Sequence, residues 1–222
     1  MVKLYDDLSQ SLYEIHTYGV NIETREIYLH SVGLDHEGEE SGVESQMAVR
    51  FVKNLHTLNS ISSRPIIIHS HSVGGNWTDG MAIFDAIKAS PSYTTCICYA
   101  SAESMSSIIP QAADTRVLMP HTGMIIHEGT GGTISTVQSV LSNAKWQKLT
   151  TTQMLNVYAE RCLKGKYFIK EHTTPTLNEI VSFFEEQLHK HQDWYIEPDE
   201  AVYYGLADGI FGEEGFKRED LK

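Results

Sequence analysis

The chain has 222 residues, 41% hydrophobic and 21% charged, which fits a globular protein rather than a disordered or fibrous one, and its length favours one domain over residues 1–222. A formal net charge of -12 makes general binding to nucleic-acid phosphates or anionic membrane surfaces electrostatically unfavourable. No apolar run approaches the roughly 18 residues a membrane span needs, and the polar opening Met1 to Gln10 lacks the basic-then-apolar order of a signal peptide, so the expected location is cytoplasmic.

Residues 1–22 form an N-terminal segment ahead of a strand around Glu26 to His30, and Asp35 to Ser41, rich in acid and glycine, reads as a surface loop. From Ser45 to Leu58 the residues Met47, Val49, Phe51, Val52, Leu55 and Leu58 recur mostly at spacings of three and four, which predicts a helix with one apolar face. Short apolar, β-branched runs then predict strands at Pro65 to Ile68, Thr94 to Tyr99, Val117 to Met119 and Met124 to Ile126, with a helix near Gly80 to Lys88 between the first two. This alternation implies crossover connections and a largely parallel sheet buried on both faces. After His127 the glycine-rich turn Gly129 to Gly132 leads into a long helical stretch, Ile134 to Leu163, and a further helix over Leu177 to Lys190. Asp199 to Ile210 combines a short helix with a closing strand. The fold class is α/β with a projecting helical handle over about 128–190.

Three places in this layout carry chemistry. Ser72-Val73-Gly74-Gly75 follows a strand, and its paired glycines let backbone N–H groups face an oxyanion without Cβ obstruction. Ser104 follows the next strand and opens a helical pattern, Met105 to Ala113, whose first amides favour developing negative charge; Pro110 predicts a kink or an early end to that helix. His127 ends a third strand. Carboxyl ends of parallel strands converge on one crevice, and a serine hydroxyl needs a base such as imidazole within reach. A serine hydrolase is one reading of these facts; a helix N-cap at Ser104 is the other.

The order and context of these motifs over roughly Glu23 to Phe211 resemble the Clp protease proteolytic subunit family, of the ClpP/crotonase fold with stacked β-α units. Ser72 to Gly75 with Gly80-Met81-Ala82-Ile83-Phe84-Asp85 is similar to the family's Ser-Pro-Gly-Gly turn and following helix; Ser104-Met105 is similar to its nucleophile pair, and Met124 to His127 to its Met-Ile-His. Glu200 to Ile210 resembles its Glu-Ala-x-x-Tyr-Gly-Leu-Val-Asp-x-Ile, and Asp193-Trp194-Tyr195 stands where the family carries its acid. The resemblance implies a serine endopeptidase with Ser104 as nucleophile, His127 as base and Asp193 as the acid, with Asp208 as the competing aspartate. It further implies oxyanion donors at the N–H groups of Gly75 and Met105, and substrate binding at Gly74, Glu128, Gly129, Gly131 and Gly132. No metal or organic cofactor is called for. The partners it implies are further copies of the chain in stacked heptameric rings, unfolded polypeptide as substrate, and a separate Clp-type AAA+ ATPase, since the chain contains no P-loop.

Departures from the family pattern are Val73 for proline, Glu103 before the nucleophile, Ser106 after the Ser-Met pair, and His127-Glu128-Gly129 for His-Gln-Pro. Glu103 would raise the histidine pKa if it faced the site. The interval from His127 to Asp193 is longer than the family's, and the excess around Lys164 to Glu186 is expected to enlarge the handle or a surface loop. An ATPase-independent maturation protease, a catalytically silent ring subunit and a crotonase-type acyl-CoA enzyme stay open as alternatives. Cys96 and Cys98, two apart in a strand, read as small buried side chains on one face. His69 with His71, and His189 with His191, read as ordinary histidines rather than metal ligands, and Phe183-Phe184 and Tyr203-Tyr204 as packing.

Overall fold

A computed structural model describes residues 2–30, 42–129, 131–171 and 174–221. The expected loop at 35–41 lies outside them. The described chain opens with helix α1 (Val2–Tyr18), where no helix is expected from the sequence, followed by β1 (Val20–Asn21) and β2 (Glu26–His30). Then come α2 (Ser45–Ile61), β3 (Ile66–Ser72), α3 (Trp77–Lys88) and β4 (Thr94–Glu103). A four-residue helix, α4 (Met105–Ile108), passes into a 3-10 turn, Ile109–Ala112, and on to β5 (Thr115–Leu118) and β6 (Gly123–Ile126). The remainder is α5 (Val137–Cys162), α6 (Lys166–Glu171), α7 (Leu177–His191), β7 (Trp194–Ile196), α8 (Pro198–Tyr204) and β8 (Gly209–Ile210).

One sheet runs β1-β2-β3-β4-β5-β8, parallel from β2 onward, as the strand-helix alternation requires. Its strands alternate between two cores. Ile66, Ile68, Cys96 and Cys98 face the helices, whereas Ile67, Ile97 and Val117 face the opposite way and are covered by Leu221, with Phe211 and Phe216 packed alongside. The helix α2 buries Met47, Phe51, Leu55 and Leu58 against the first core, each such side chain contributing about 1.5–3 kcal/mol. The three cysteines are free and buried, and burial raises the Cys162 thiol pKa.

Strands β3 and β4 run past the apolar stretches that predict them. Polar residues in β3 continue the alternation, His69 and His71 on one side and the buried Ser70 and Ser72 on the other. In β4 the register against β3 shifts, Ser70 pairing with Cys98 but Ser72 with Ala102, and Ala100 takes a left-handed φ of 49° at that point. Such a bulge bends a strand and re-aims the residues beyond it. The result is a strand with two successive partners: Thr95–Cys98 pair with β5, and Ser101–Glu103 pair with β6. His71 Nδ1 lies 2.9 Å from the carbonyl oxygen of Tyr99, a bond the ring N–H donates, which ties the bulge to β3.

The region of 164–186, expected as handle or loop, forms α6 and the start of α7, and these pack on the body. Thr176 caps α7 with a reciprocal capping box through Glu179. Ile180, Phe184 and Leu188 are buried beneath that helix. In α5 only the carboxyl half, from Met154 to Cys162, is buried; Val137, Val140, Leu141, Trp146 and Leu149 in the other half are exposed, so this half is the projection.

Candidate active site

The ladder registers bring three distant residues together. Glu103 pairs with Ile125 in the parallel β4–β6 ladder, so Ser104 comes level with the end of β6, and its N–H donates to the Ile125 carbonyl at 2.8 Å. Strands β6 and β7 are antiparallel with Ile126 opposite Trp194. One step further along an antiparallel pair sets the residue after Ile126 across from the residue before Trp194, which are His127 and Asp193. His127 Nε2 lies 2.7 Å from Ser104 Oγ, and His127 Nδ1 lies 3.0 Å from Asp193 Oδ1. A carboxylate oxygen only accepts, so Nδ1 carries the proton and, in the neutral ring, Nε2 accepts from the serine hydroxyl.

Ser104 and Asp193 are held by their surroundings. Ser104 has φ 52° and ψ -122°, a conformation that costs a non-glycine residue about 1–3 kcal/mol and is found where neighbouring structure imposes it. The helix α4 begins at Met105, whose side chain is buried against α3 at Gly80, where a Cβ would collide with its Cγ and Sδ. Asp193 follows Gln192, which ends α7 at φ 60°. The next residue, Trp194, is buried among Phe183, Phe184 and Tyr204 at ring-centroid distances of 5.9, 5.7 and 5.5 Å. Phe183 and Phe184, which lie between His127 and Asp193 in the chain, therefore supply part of the aromatic bed on which β7, the strand that follows Asp193, rests.

The glycine turn abuts Ser104. Gly74, at φ 93°, approaches so closely that a Cβ there would stand 2.6 Å from Ser104 Cβ and 3.0 Å from the Met105 nitrogen. Gly75 forms a parallel bridge with Val43. Val43 donates to the Gly74 carbonyl at 2.6 Å and accepts from Asn76 N–H at 2.8 Å, a pattern that leaves the N–H of Gly75 outside the bridge. The N–H of Met105 is one of the first amides of α4, which have no partner within the helix. Val43 is a structural partner that sequence reasoning misses, because a two-residue bridge leaves no periodic signal.

Other sequence candidates fall elsewhere. Asp208 is engaged by Arg116, which donates from Nη2 to Oδ1 at 2.6 Å and from Nε to Oδ2 at 3.0 Å, while the Arg116 backbone N–H also donates to Oδ2 at 2.7 Å. It braces β5 against the segment before β8. The Glu103 carboxylate accepts from the Ser101 hydroxyl at 2.7 Å. Glu128, Gly129, Gly131 and Gly132 are exposed and lie outside regular structure, and Gly131 packs against the Gln147 side chain of α5. His69 stacks on Tyr28 and its Nδ1 lies 2.8 Å from Tyr99 Oη, while burial lowers its pKa. Among the described residues no group of three or more His, Cys, Asp or Glu side chains could hold a metal ion, and no helix is long and apolar enough to cross a membrane. Phe183, Phe184, Tyr203 and Tyr204 pack with one another and with Tyr167.

The family model for Clp protease matches residues 39–214. Proteolytic subunit 2 of the ATP-dependent Clp protease of Pseudomonas aeruginosa is 31% identical over 175 residues, covering 78% of this chain and 79% of that one. The proteolytic subunit of Chlorella vulgaris is 28% identical over 150 residues, 67% of this chain and 66% of that one. A solved structure of a ClpP1 point mutant from Listeria monocytogenes superposes with a TM-score of 0.68 over 97% of this chain and 99% of that one; at 22% identity this likeness shows the fold.

Proposed function

Because the chain belongs to the Clp protease family, we propose that it is a serine endopeptidase subunit that hydrolyses peptide bonds of unfolded polypeptide through Ser104, His127 and Asp193. The observation that carries this reading is the pair of short contacts, 2.7 Å from Ser104 Oγ to His127 Nε2 and 3.0 Å from His127 Nδ1 to Asp193 Oδ1. In this mechanism Ser104 Oγ attacks the scissile carbonyl carbon as its proton passes to Nε2. The imidazolium then returns that proton to the leaving amine, and Asp193 accepts from Nδ1 throughout, which fixes the tautomer. Water, deprotonated in turn by His127, releases the acyl group from Ser104.

The developing oxyanion is held by the N–H groups of Gly75 and Met105, and electrostatic help of this kind is worth about 10²–10³-fold per donor. The substrate backbone lies as an added strand along Glu128, Gly129, Gly131 and Gly132, where exposed backbone is available to pair with it. Gly74 is buried, its N–H donating to Ser72 Oγ and its carbonyl accepting from Val43, so it shapes the site from behind and does not pair with substrate. Copies of the chain assemble into stacked rings of seven, with the exposed apolar residues Val137, Leu141 and Trp146 of α5 covered by a second copy, and a separate AAA+ ATPase feeds unfolded substrate in.

A fluorophosphonate probe tests the chemistry directly. Wild type becomes labelled at one serine and Ser104→Ala does not, with peptide hydrolysis falling by about 10⁶-fold in parallel. An assembled, folded wild type that takes no label refutes the reading and favours a subunit without catalysis.

A further inference from the structure

The carbonyl group of Ser104 is itself held by two hydrogen bonds. The carbonyl oxygen of Ser104 accepts two hydrogen bonds from Ser107, one from its N–H at 2.9 Å and one from its hydroxyl at 2.6 Å. Ser107 Oγ also lies 2.6 Å from the hydroxyl of Tyr158. A serine hydroxyl has one proton, and a carbonyl oxygen can only accept, so that proton goes to Ser104. Tyr158 must therefore donate to Ser107. The whole chain of bonds thus has one direction: Tyr158 O–H to Ser107 Oγ, and Ser107 O–H to the Ser104 carbonyl.

Both hydroxyls are inaccessible to water, Ser107 and Tyr158 being fully buried. Tyr158 stacks on Phe184 of α7 at a centroid distance of 5.5 Å and an interplanar angle of 16°, which fixes its ring. Burial raises the Tyr158 pKa, so its hydroxyl keeps its proton and serves as a donor. A phenylalanine would fill the same space with the same ring. The hydroxyl, in a place where an unpaired one would be costly, is spent on Ser107.

The Ser104 carbonyl belongs to the same planar peptide unit as the Met105 N–H. Fixing the direction of one fixes the direction of the other. Hydrogen bonds to the oxygen also withdraw electron density through the amide and polarise the N–H, and chains of such bonds reinforce one another. We propose that Tyr158 and Ser107 are positioning residues for the oxyanion hole: a relay from α5 that sets the plane and strengthens the donor power of the Ser104–Met105 peptide. The inference rests on the serine peptidase reading, because only there does the Met105 N–H meet an oxyanion. It also gives the carboxyl half of α5 and the aromatic bed of α7 a direct line to the reacting atoms.

The test uses the full chain with Tyr158→Phe, Ser107→Ala and the double variant, measuring kcat and KM for a peptide substrate, the rate of fluorophosphonate labelling and the thermal midpoint. Ser107→Ala is expected to lower kcat about 10–100-fold with KM unchanged, less than the 10²–10³-fold loss for deleting a donor outright. Tyr158→Phe, which keeps the ring and the Ser107 bond, is expected to lower kcat by about 3–10-fold, since it removes only the reinforcing bond. The double variant should match Ser107→Ala in kcat, because Tyr158 acts through Ser107. Wild-type kcat in both single variants, with only the midpoint lowered, overturns the relay while leaving the peptidase reading intact. A relay that fails in the other way, with the two losses multiplying in the double variant, overturns the order of action. Wild type that takes no label overturns the peptidase reading and this inference together.

Discussion

Replacing Gly74 by alanine tests the close approach of the glycine turn to Ser104. The added methyl would fall 2.6 Å from both Ser104 Cβ and the Glu103 carbonyl oxygen, where ordinary contact begins at 3.4 Å, so one side must withdraw by about 0.8 Å. Neither neighbour is the far end of a flexible side chain. Overpacking of this kind costs about 1–3 kcal/mol, and a side chain at φ 93° adds about 1–2 kcal/mol. At roughly 2–4 °C per kcal/mol for a chain of this size, the thermal midpoint should fall on the order of 10 °C. A displacement near 1 Å at Ser104 is enough to lengthen the 2.7 Å contact with His127 beyond hydrogen-bond range, and on the proposed mechanism should cost about 10²-fold in rate. Gly123→Ala is the control: its Cβ would meet nothing nearer than the Ala100 carbonyl oxygen at 3.8 Å, so it should keep both midpoint and rate. Differential scanning fluorimetry and the rate of fluorophosphonate labelling read the two effects. If Gly74→Ala labels as fast as wild type and melts at the same temperature, the glycine turn does not lie against Ser104.

The two candidate aspartates separate cleanly. Asp193→Asn should lower kcat about 10⁴-fold with an unchanged melting curve, whereas Asp208→Asn should lower stability by about 1–3 kcal/mol by stripping the carboxylate from the buried Arg116; exchanged phenotypes would refute both assignments. Leu221→Ala should reduce stability by about 2–3 kcal/mol, because it uncovers Ile67, Ile97 and Val117, and an unmoved urea midpoint would count against that packing. His69, whose pKa burial lowers from 6.5, binds a proton less readily folded than unfolded. Its contribution is therefore neutral well above pH 6.5 and becomes destabilising as the pH falls through that value, so wild type should lose stability on acidification faster than His69→Gln; parallel stability–pH curves would exclude this.

Much of the layout was legible in the chain because burial leaves a local periodic trace. The run Glu26 to His30 is a strand with those same limits, and Leu177 to Lys190 differs from α7 by one residue. Pro110 ends α4 early by removing an N–H, as its position requires. The helix α1 is not assigned from sequence, although Leu4, Leu8, Leu12 and Ile15 recur at spacings of three and four. Strand ends were less legible at β3 and β4, where polar residues continue a ladder that apolar runs only begin.

Sequence alone supplied the chemical identities: a serine at a strand-to-helix turn, a histidine at a strand end, an aspartate well downstream, and paired glycines. Their juxtaposition was decided by tertiary structure. The bulge at Ala100 hands β4 from β5 to β6, and the antiparallel β6–β7 register then sets His127 beside Asp193. Tyr158 illustrates the same division: it falls in the helical stretch expected over Ile134 to Leu163, but its partner Ser107 lies 51 positions away and nothing local to α5 points to it. The physical reason is that side-chain pattern records which face of an element is buried, whereas register and hydrogen-bond partners are fixed by segments distant in sequence, about which local pattern carries no information.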